Sequence, residues 1–115
     1  MISDLSKVRI FVRPGFTDLR KAINGLSVMI AQEMDQDPLS GSLFLFCNKE
    51  RRLLKILYWD LNGFCLWQKR LERHRFPWPQ RVDEVLEIDY QKIVMLLQGV
   101  DFWNVHTKVE YKSVI

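Results

Sequence analysis

Between Leu43 and Lys69 the hydrophobic residues fall at period two, the spacing that puts alternate side chains on opposite faces of a strand. In Leu54-Lys55-Ile56-Leu57-Tyr58-Trp59 one face takes Leu54, Ile56 and Tyr58, and the other takes Lys55, Leu57 and Trp59. In Phe64-Cys65-Leu66-Trp67-Gln68-Lys69 one face takes Phe64, Leu66 and Gln68, and the other takes Cys65, Trp67 and Lys69. Asp60-Leu61-Asn62-Gly63 separates these runs. Asn-Gly tolerates positive φ, so it predicts a short hairpin loop, with room for a bulge at Gly63. An earlier run, Leu43-Phe44-Leu45-Phe46-Cys47, is set off by the polar spacer Asn48 to Arg52, which predicts a second hairpin. The result is a three-stranded antiparallel meander. Its apolar residues on both faces imply a sheet covered on one side and partly exposed on the other.

Before the meander, Lys7 to Arg13 alternates again and predicts a strand with Val8, Ile10 and Val12 inward and Arg9, Phe11 and Arg13 outward, stopped by Pro14-Gly15. Thr17 then suits a helix N-cap and Asp18 the first turn. Leu19, Ala22, Ile23, Leu26, Met29 and Ile30 fall on one stripe at the helical period, which predicts a helix to about Met34. Gly25 within it costs up to ~1 kcal/mol relative to Ala, a cost that close packing against the sheet would explain. Asp37-Pro38 and Ser40-Gly41 mark a turn region. After the meander, Pro77 and Pro79 stop the ladder, because proline has no N–H to donate. Gln80 to Glu87 is expected to be a polar connector. Asp89 is expected to cap a second helix over Tyr90 to Gln98, with Ile88 stapled to Ile93, Gly99 past its end, and Ile93, Leu96 and Leu97 as its apolar stripe. Residues 101–115 alternate weakly, as an edge strand or a tail. Strands clustered in sequence with two helices predict an α+β fold, the N-terminal strand and the meander forming one mainly antiparallel sheet with the helices packed on one face.

At 115 residues the chain is expected to be one domain, with a core over about residues 7–103 and a tail at 104–115. Its hydrophobic fraction of 48% is that of a globular chain. Neither a ~20-residue apolar run nor a signal pattern is present, so the expectation is a cytoplasmic protein with no membrane contact. Cys47 and Cys65 lack a CxxC spacing and read as buried free thiols.

Charge changes the picture through its distribution. The segment Leu43 to Val82 carries nine Lys/Arg against three acids, and the rest carries eight against eleven. The densest stretch is Lys69-Arg70-Leu71-Glu72-Arg73-His74-Arg75-Phe76. Lys69, Arg70, Arg73 and Arg75, with Arg51 and Arg52 from the preceding loop, are the candidate nucleic-acid-binding residues, since cations of this kind bind phosphate by charge and, for arginine, through a bidentate fork. The same cations would also keep a strand edge soluble, and the residues alone leave both readings open. Trp67, Phe76 and Trp78 can stack on bases or pack in the core. Neither a HExxH, Walker or GxSxG motif nor a Cys/His metal spacing occurs, so catalytic residues, metal ligands and cofactors are expected to be absent. Asp60 is the acid on which a metal-dependent nuclease reading would rest.

Several short motifs occur together in one order: Gly15-Phe16-Thr17-Asp18-Leu19-Arg20-Lys21, Gly25-Leu26, Asp37-Pro38-Leu39-Ser40-Gly41, Lys55-Ile56-Leu57-Tyr58-Trp59-Asp60, Gly63-Phe64-Cys65-Leu66, Lys69-Arg70-Leu71-Glu72, Trp78-Pro79, and Leu96-Leu97-Gln98-Gly99-Val100-Asp101-Phe102. In this the chain resembles the accessory protein TnpB, also called Orf2, of insertion sequences of the IS-sixty-six type, which is unrelated to the RNA-guided nuclease of the same name. The likeness runs from about Val8 to Trp103. It departs from the family pattern at His74, where glycine is common. The resemblance implies a non-catalytic role in bacterial DNA transposition, with a separate transposase and DNA of the element ends as partners. A homo-oligomer is compatible with it. The other reading is a module that docks on the transposase through an exposed Phe11, Leu57 or Trp59 face without binding DNA.

Overall fold

The computed structural model describes residues 5–80 and 85–101. A single 3-10 turn, Leu5–Lys7, leads into β1 (Ile10–Val12). Then follow α1 (Ile23–Gln32), β2 (Leu43–Cys47), β3 (Leu53–Asp60), β4 (Gly63–Arg70), β5 (Leu86–Ile88) and α2 (Tyr90–Leu97). The five strands form one sheet in the order β4-β3-β2-β1-β5. Every neighbouring pair is antiparallel except β1 and β2, which run parallel with α1 in the connection. The architecture is α+β with a mainly antiparallel sheet, and the meander lies at the expected positions with the expected faces.

The helices do not share a face. β2 is buried at all five positions, which already requires cover on both sides. Leu43, Leu45 and Cys47 join Leu54, Ile56, Tyr58, Phe76 and Trp78 beneath Ile93 and Leu96 of α2. Phe44 and Phe46 join Phe11 and Leu57 beneath Leu26, Met29 and Ile30 of α1. Phe11 is therefore 4% exposed rather than outward-facing, and its ring stacks on Phe44 at 5.7 Å. Leu57 is fully buried on the same face. The surface on which transposase docking through Phe11 and Leu57 would depend is thus covered by α1, and only Trp59, half-buried and edge-on to Phe64, remains at its margin.

The first helix starts later than Thr17. The backbone N–H of Thr17 donates to the Cys47 carbonyl at the end of β2, and its hydroxyl accepts from Arg13. Both capping functions are thereby occupied. Asp18 accepts from the backbone and the guanidinium of Arg20, and Lys21 closes the turn onto the Asp18 carbonyl. α1 begins at Ile23, with Ala22 at its cap and no side-chain cap bond. The helical stripe was correct for Leu26, Met29 and Ile30, while Ala22 is exposed. A side chain at Gly25 would meet the Lys21 side chain at 3.3 Å, so the crowding comes from the preceding turn and not from the sheet.

Three further details differ from expectation. The polar connector contains β5, which pairs antiparallel with β1; its three residues, Leu86-Glu87-Ile88, are too few for an alternation to register. The β3–β4 turn places Leu61, not Gly63, at positive φ, and Asp60 pairs directly with Gly63. The N-terminal strand is confined to Ile10–Val12; the Arg13 N–H still donates to the Leu45 carbonyl, while its guanidinium donates to the Phe16 carbonyl and to Glu33. The second helix behaves as read: Asp89 accepts from the Lys92 N–H, and Gly99 at φ 82° lets Gly99 and Val100 donate back to Leu96 and Met95, a Schellman end. The expected strand or tail at 104–115 lies outside the described residues.

Candidate nucleic-acid interface

The β2–β3 loop is shaped by Asn48. Its side-chain oxygen accepts from the N–H groups of Arg52 and Leu53, and its carbonyl accepts from Arg51. Arg51 is held in the left-handed region at φ 60°. β4 then returns beside β3 and ends with Arg70 opposite Leu53. The segment after it is fastened to the same loop, because Leu71 donates to the Arg52 carbonyl at 2.8 Å and Phe76 to the Arg51 carbonyl at 2.7 Å. Between these anchors the chain reverses at His74, which takes φ 65°. A tight turn is therefore made here without glycine, at a conformational cost of about 1–2 kcal/mol.

Five of the six candidate cations are assembled by this construction at one end of the sheet. Arg51 and Arg52 lie on one loop, Arg70 ends β4, and Arg73 and Arg75 lie on the turn sewn to that loop. Arg70 pairs with Glu72 at 2.8 Å with both side chains largely exposed, and such a pair restrains little. Arg52 reaches the Glu72 carbonyl at 3.4 Å. Arg73 and Arg75 are exposed and have no ion-pair partner among the described residues. Lys69 stands apart: it is half-buried, and its Nζ donates to the Leu97 carbonyl at 2.8 Å, where a cation suits the C-terminal end of α2. The aromatic residues beside the cluster divide the other way. Phe76 is fully buried, Trp78 is 4% exposed, and Trp67 packs against the same core, so all three serve packing and the first two have no free face for a base.

On the other side of the β2–β3 loop lies a cleft of about 550 Å³, lined by Phe16, Asp18, Leu19, Arg20, Lys49 and Leu53 among others. Phe16 is 56% exposed, with the Lys49 ammonium 5.9 Å from its ring centre. Sequence reasoning passed over both residues. The available signal was a large aromatic placed inside a Gly-Thr-Asp turn segment, where no core stripe required it. Arg20 holds the Asp18 carboxyl down to about 2, chiefly through its side-chain hydrogen bonds.

The two thiols are free. Burial pushes Cys47 up to about 12, and burial together with a hydrogen bond to Cys65 raises the Tyr58 hydroxyl. Asp60 is exposed at the tip of β3. No group of three or more His, Cys, Asp or Glu side chains converges among the described residues. No helix among them is long and apolar enough to cross a membrane.

A family model described as IS66 Orf2 like protein matches residues 8–107. The uncharacterized protein y4hO of Sinorhizobium fredii (strain NBRC 101917 / NGR234) is 33% identical over 102 residues, covering 89% of each chain. The uncharacterized protein y4jC of the same organism is 32% identical over 108 residues, covering 94% of this chain and 92% of its own. No solved structure matches.

Proposed function

Because the chain belongs to the IS66 Orf2-like family, we propose that it serves insertion-sequence transposition as a non-catalytic accessory protein that binds DNA at the element ends and assists a separate transposase. The observation that supports this reading is the basic turn. Arg73 and Arg75 project from a reversal whose two ends are hydrogen-bonded to the loop carrying Arg51 and Arg52. Cations so placed are restrained at the backbone yet free at the guanidinium, which suits contact with phosphates along a duplex. Arg70, Arg52 and Arg51 flank this pair as secondary contacts. Lys69 acts one step removed, by holding the end of α2 against β4.

The test is fluorescence anisotropy of the purified chain with labelled element-end and scrambled duplexes over a salt series. Each phosphate contact contributes ~0.9 to the slope of log K against log salt, so Arg73→Ala with Arg75→Ala is expected to weaken both complexes and to flatten the slope by roughly 2. A folded double variant that keeps both affinity and slope overturns the reading.

A further inference from the structure

Phe16 is the most exposed aromatic ring among the described residues, at 56%. Its backbone does not let it withdraw. On one side Gly15 donates to the Pro79 carbonyl at 2.7 Å, and on the other Thr17 donates to the Cys47 carbonyl at 2.8 Å. The Phe16 carbonyl itself accepts from the Arg13 guanidinium at 2.9 Å. The ring is thereby held outward at the cleft that it lines with Leu19 and Leu53, and it forgoes the burial that a phenylalanine ordinarily gains.

Two polar groups at the same cleft are set for an acceptor and an anion. The Asn48 side-chain oxygen is taken by the N–H groups of Arg52 and Leu53, which fixes the amide and leaves its Nδ2 with no hydrogen-bond partner among the described residues. The Lys49 ammonium, 5.9 Å from the Phe16 ring centre, has no ion-pair partner among them. Of the acids in the lining, Asp18 is neutralised by the Arg20 guanidinium at 2.6 Å, and Glu50 belongs to a loop in which Lys49, Arg51 and Arg52 outnumber it. A flat ring, a fixed N–H donor and a free cation side by side match the three parts of a nucleotide: a base face, the acceptors on its edge, and a phosphate. The volume of about 550 Å³ lies within the ~300–1,000 Å³ of small-molecule sites.

We propose that this cleft receives an unpaired nucleotide of a DNA strand, its base stacked on Phe16, a base acceptor on the Asn48 amide and a phosphate on Lys49. The proposal rests on the DNA-binding reading above for the identity of the polymer. Continuity with the basic turn is what favours a nucleic-acid strand over a peptide. Leu53 lines the cleft and lies directly opposite Arg70 in the β3–β4 ladder. Paired strands stand ~4.8 Å apart, and paired residues share a face. The 48–52 loop therefore has the basic turn on one flank and the cleft on the other. A duplex held on the turn that ends in, or opens into, a single strand passes that strand over the loop and into the cleft. Phosphate contacts alone carry no such preference, because a paired base offers no free face.

Fluorescence anisotropy of the full chain tests this with one labelled duplex in three forms: blunt, extended on either strand by a short thymidine tail, and extended by an abasic tail of equal length. The abasic tail keeps the phosphates and removes the bases, so the difference between the tails reads stacking alone. The thymidine tail is expected to bind roughly 5- to 100-fold tighter than the abasic one. Phe16→Ala is expected to erase that difference, Phe16→Tyr to keep it, and neither to change binding of the blunt duplex. Lys49→Ala is expected to flatten the salt slope of the tailed duplexes by ~0.7 and to leave the blunt slope alone. Equal binding of the two tails by the wild type, or a tail preference that survives Phe16→Ala, overturns the proposal; if the transposase is what that variant loses, the cleft belongs to a protein segment. The thymidine and abasic strands are also titrated without the duplex. Phe16-dependent binding of the free thymidine strand by a chain that ignores the blunt duplex would support the cleft and count against the basic turn alone. Blunt binding without a tail preference would count against the cleft alone.

Discussion

The indole N–H of Trp78 donates to the backbone carbonyl of Arg13 at 3.0 Å. This bond joins the segment that leaves the basic turn to the residue just after β1, and Gly15 adds a second link by donating to the Pro79 carbonyl at 2.7 Å. The exit of the turn is therefore fixed to the centre of the sheet as well as to the β2–β3 loop. Trp78→Phe keeps an aromatic ring in the core but leaves the part-buried carbonyl without its donor. The expected loss is about 1–3 kcal/mol of unfolding free energy by urea titration. A variant as stable as wild type would mean that the bond contributes nothing.

His74 occupies the left-handed region at φ 65° while exposed to solvent. Glycine would remove a cost of about 1–2 kcal/mol in the folded turn and add about 0.4–1 kcal/mol of unfolded-chain entropy. His74→Gly is therefore expected to raise stability by roughly 0.5 kcal/mol, and His74→Val to lower it. The two denaturation midpoints should move in opposite directions from wild type.

Asp18 is exposed, yet its hydrogen bonds to the Arg20 guanidinium hold its carboxyl at about 2 against an ordinary 3.8. A carboxylate depressed on folding adds stability above its unfolded value and loses it as pH falls through its folded one. Here that window lies between 3.8 and about 2. Carboxyl NMR titration should show a midpoint near the lower figure, and Arg20→Ala should return it toward the upper. A midpoint unmoved by that replacement would remove Arg20 as the cause.

Cys47 is fully buried, and burial pushes its thiol up to about 12. Since the thiolate is the reactive form, a disulfide reagent at pH 8 is expected to titrate Cys65 in the folded chain and both thiols in denaturant. The sign for stability is opposite to that of Asp18. A group raised on folding contributes fully below its unfolded value of 9.0 and loses its contribution as pH climbs toward 12. Equal labelling of both cysteines in the folded chain would contradict the buried placement.

The meander was legible because each strand carries its own period and each hairpin is local. α2 was legible because Asp89, Gly99 and the Ile93-Leu96 stripe agree with one another. What escaped was decided by distant partners. Thr17 has the chemistry of a cap, but Cys47 and Arg13 claim its donor and acceptor first. The side of the sheet that each helix covers depends on the β1–β2 crossover, which no local pattern records. The candidate cations were visible as a charge cluster. Two backbone bonds, from Leu71 to Arg52 and from Phe76 to Arg51, bring two separated segments together, and backbone bonds carry no side-chain signature. The separation of Lys69 from the other five follows from the placement of the Leu97 carbonyl, which is equally nonlocal.

The position of β1 within the sheet has a bearing on the order in which the chain folds. Ile10 is matched with Leu43 on one side and with Ile88 on the other. The three meander strands can zip from turns already in hand, whereas β1 needs a long parallel closure and then a longer antiparallel one. A chain growing from its N-terminus exposes Ile10, Phe11 and Val12 early and gives them their last neighbour only when β5 has been made. The oldest strand is thus the last to be fully enclosed, and amide exchange during refolding should protect β2 and β3 before β1.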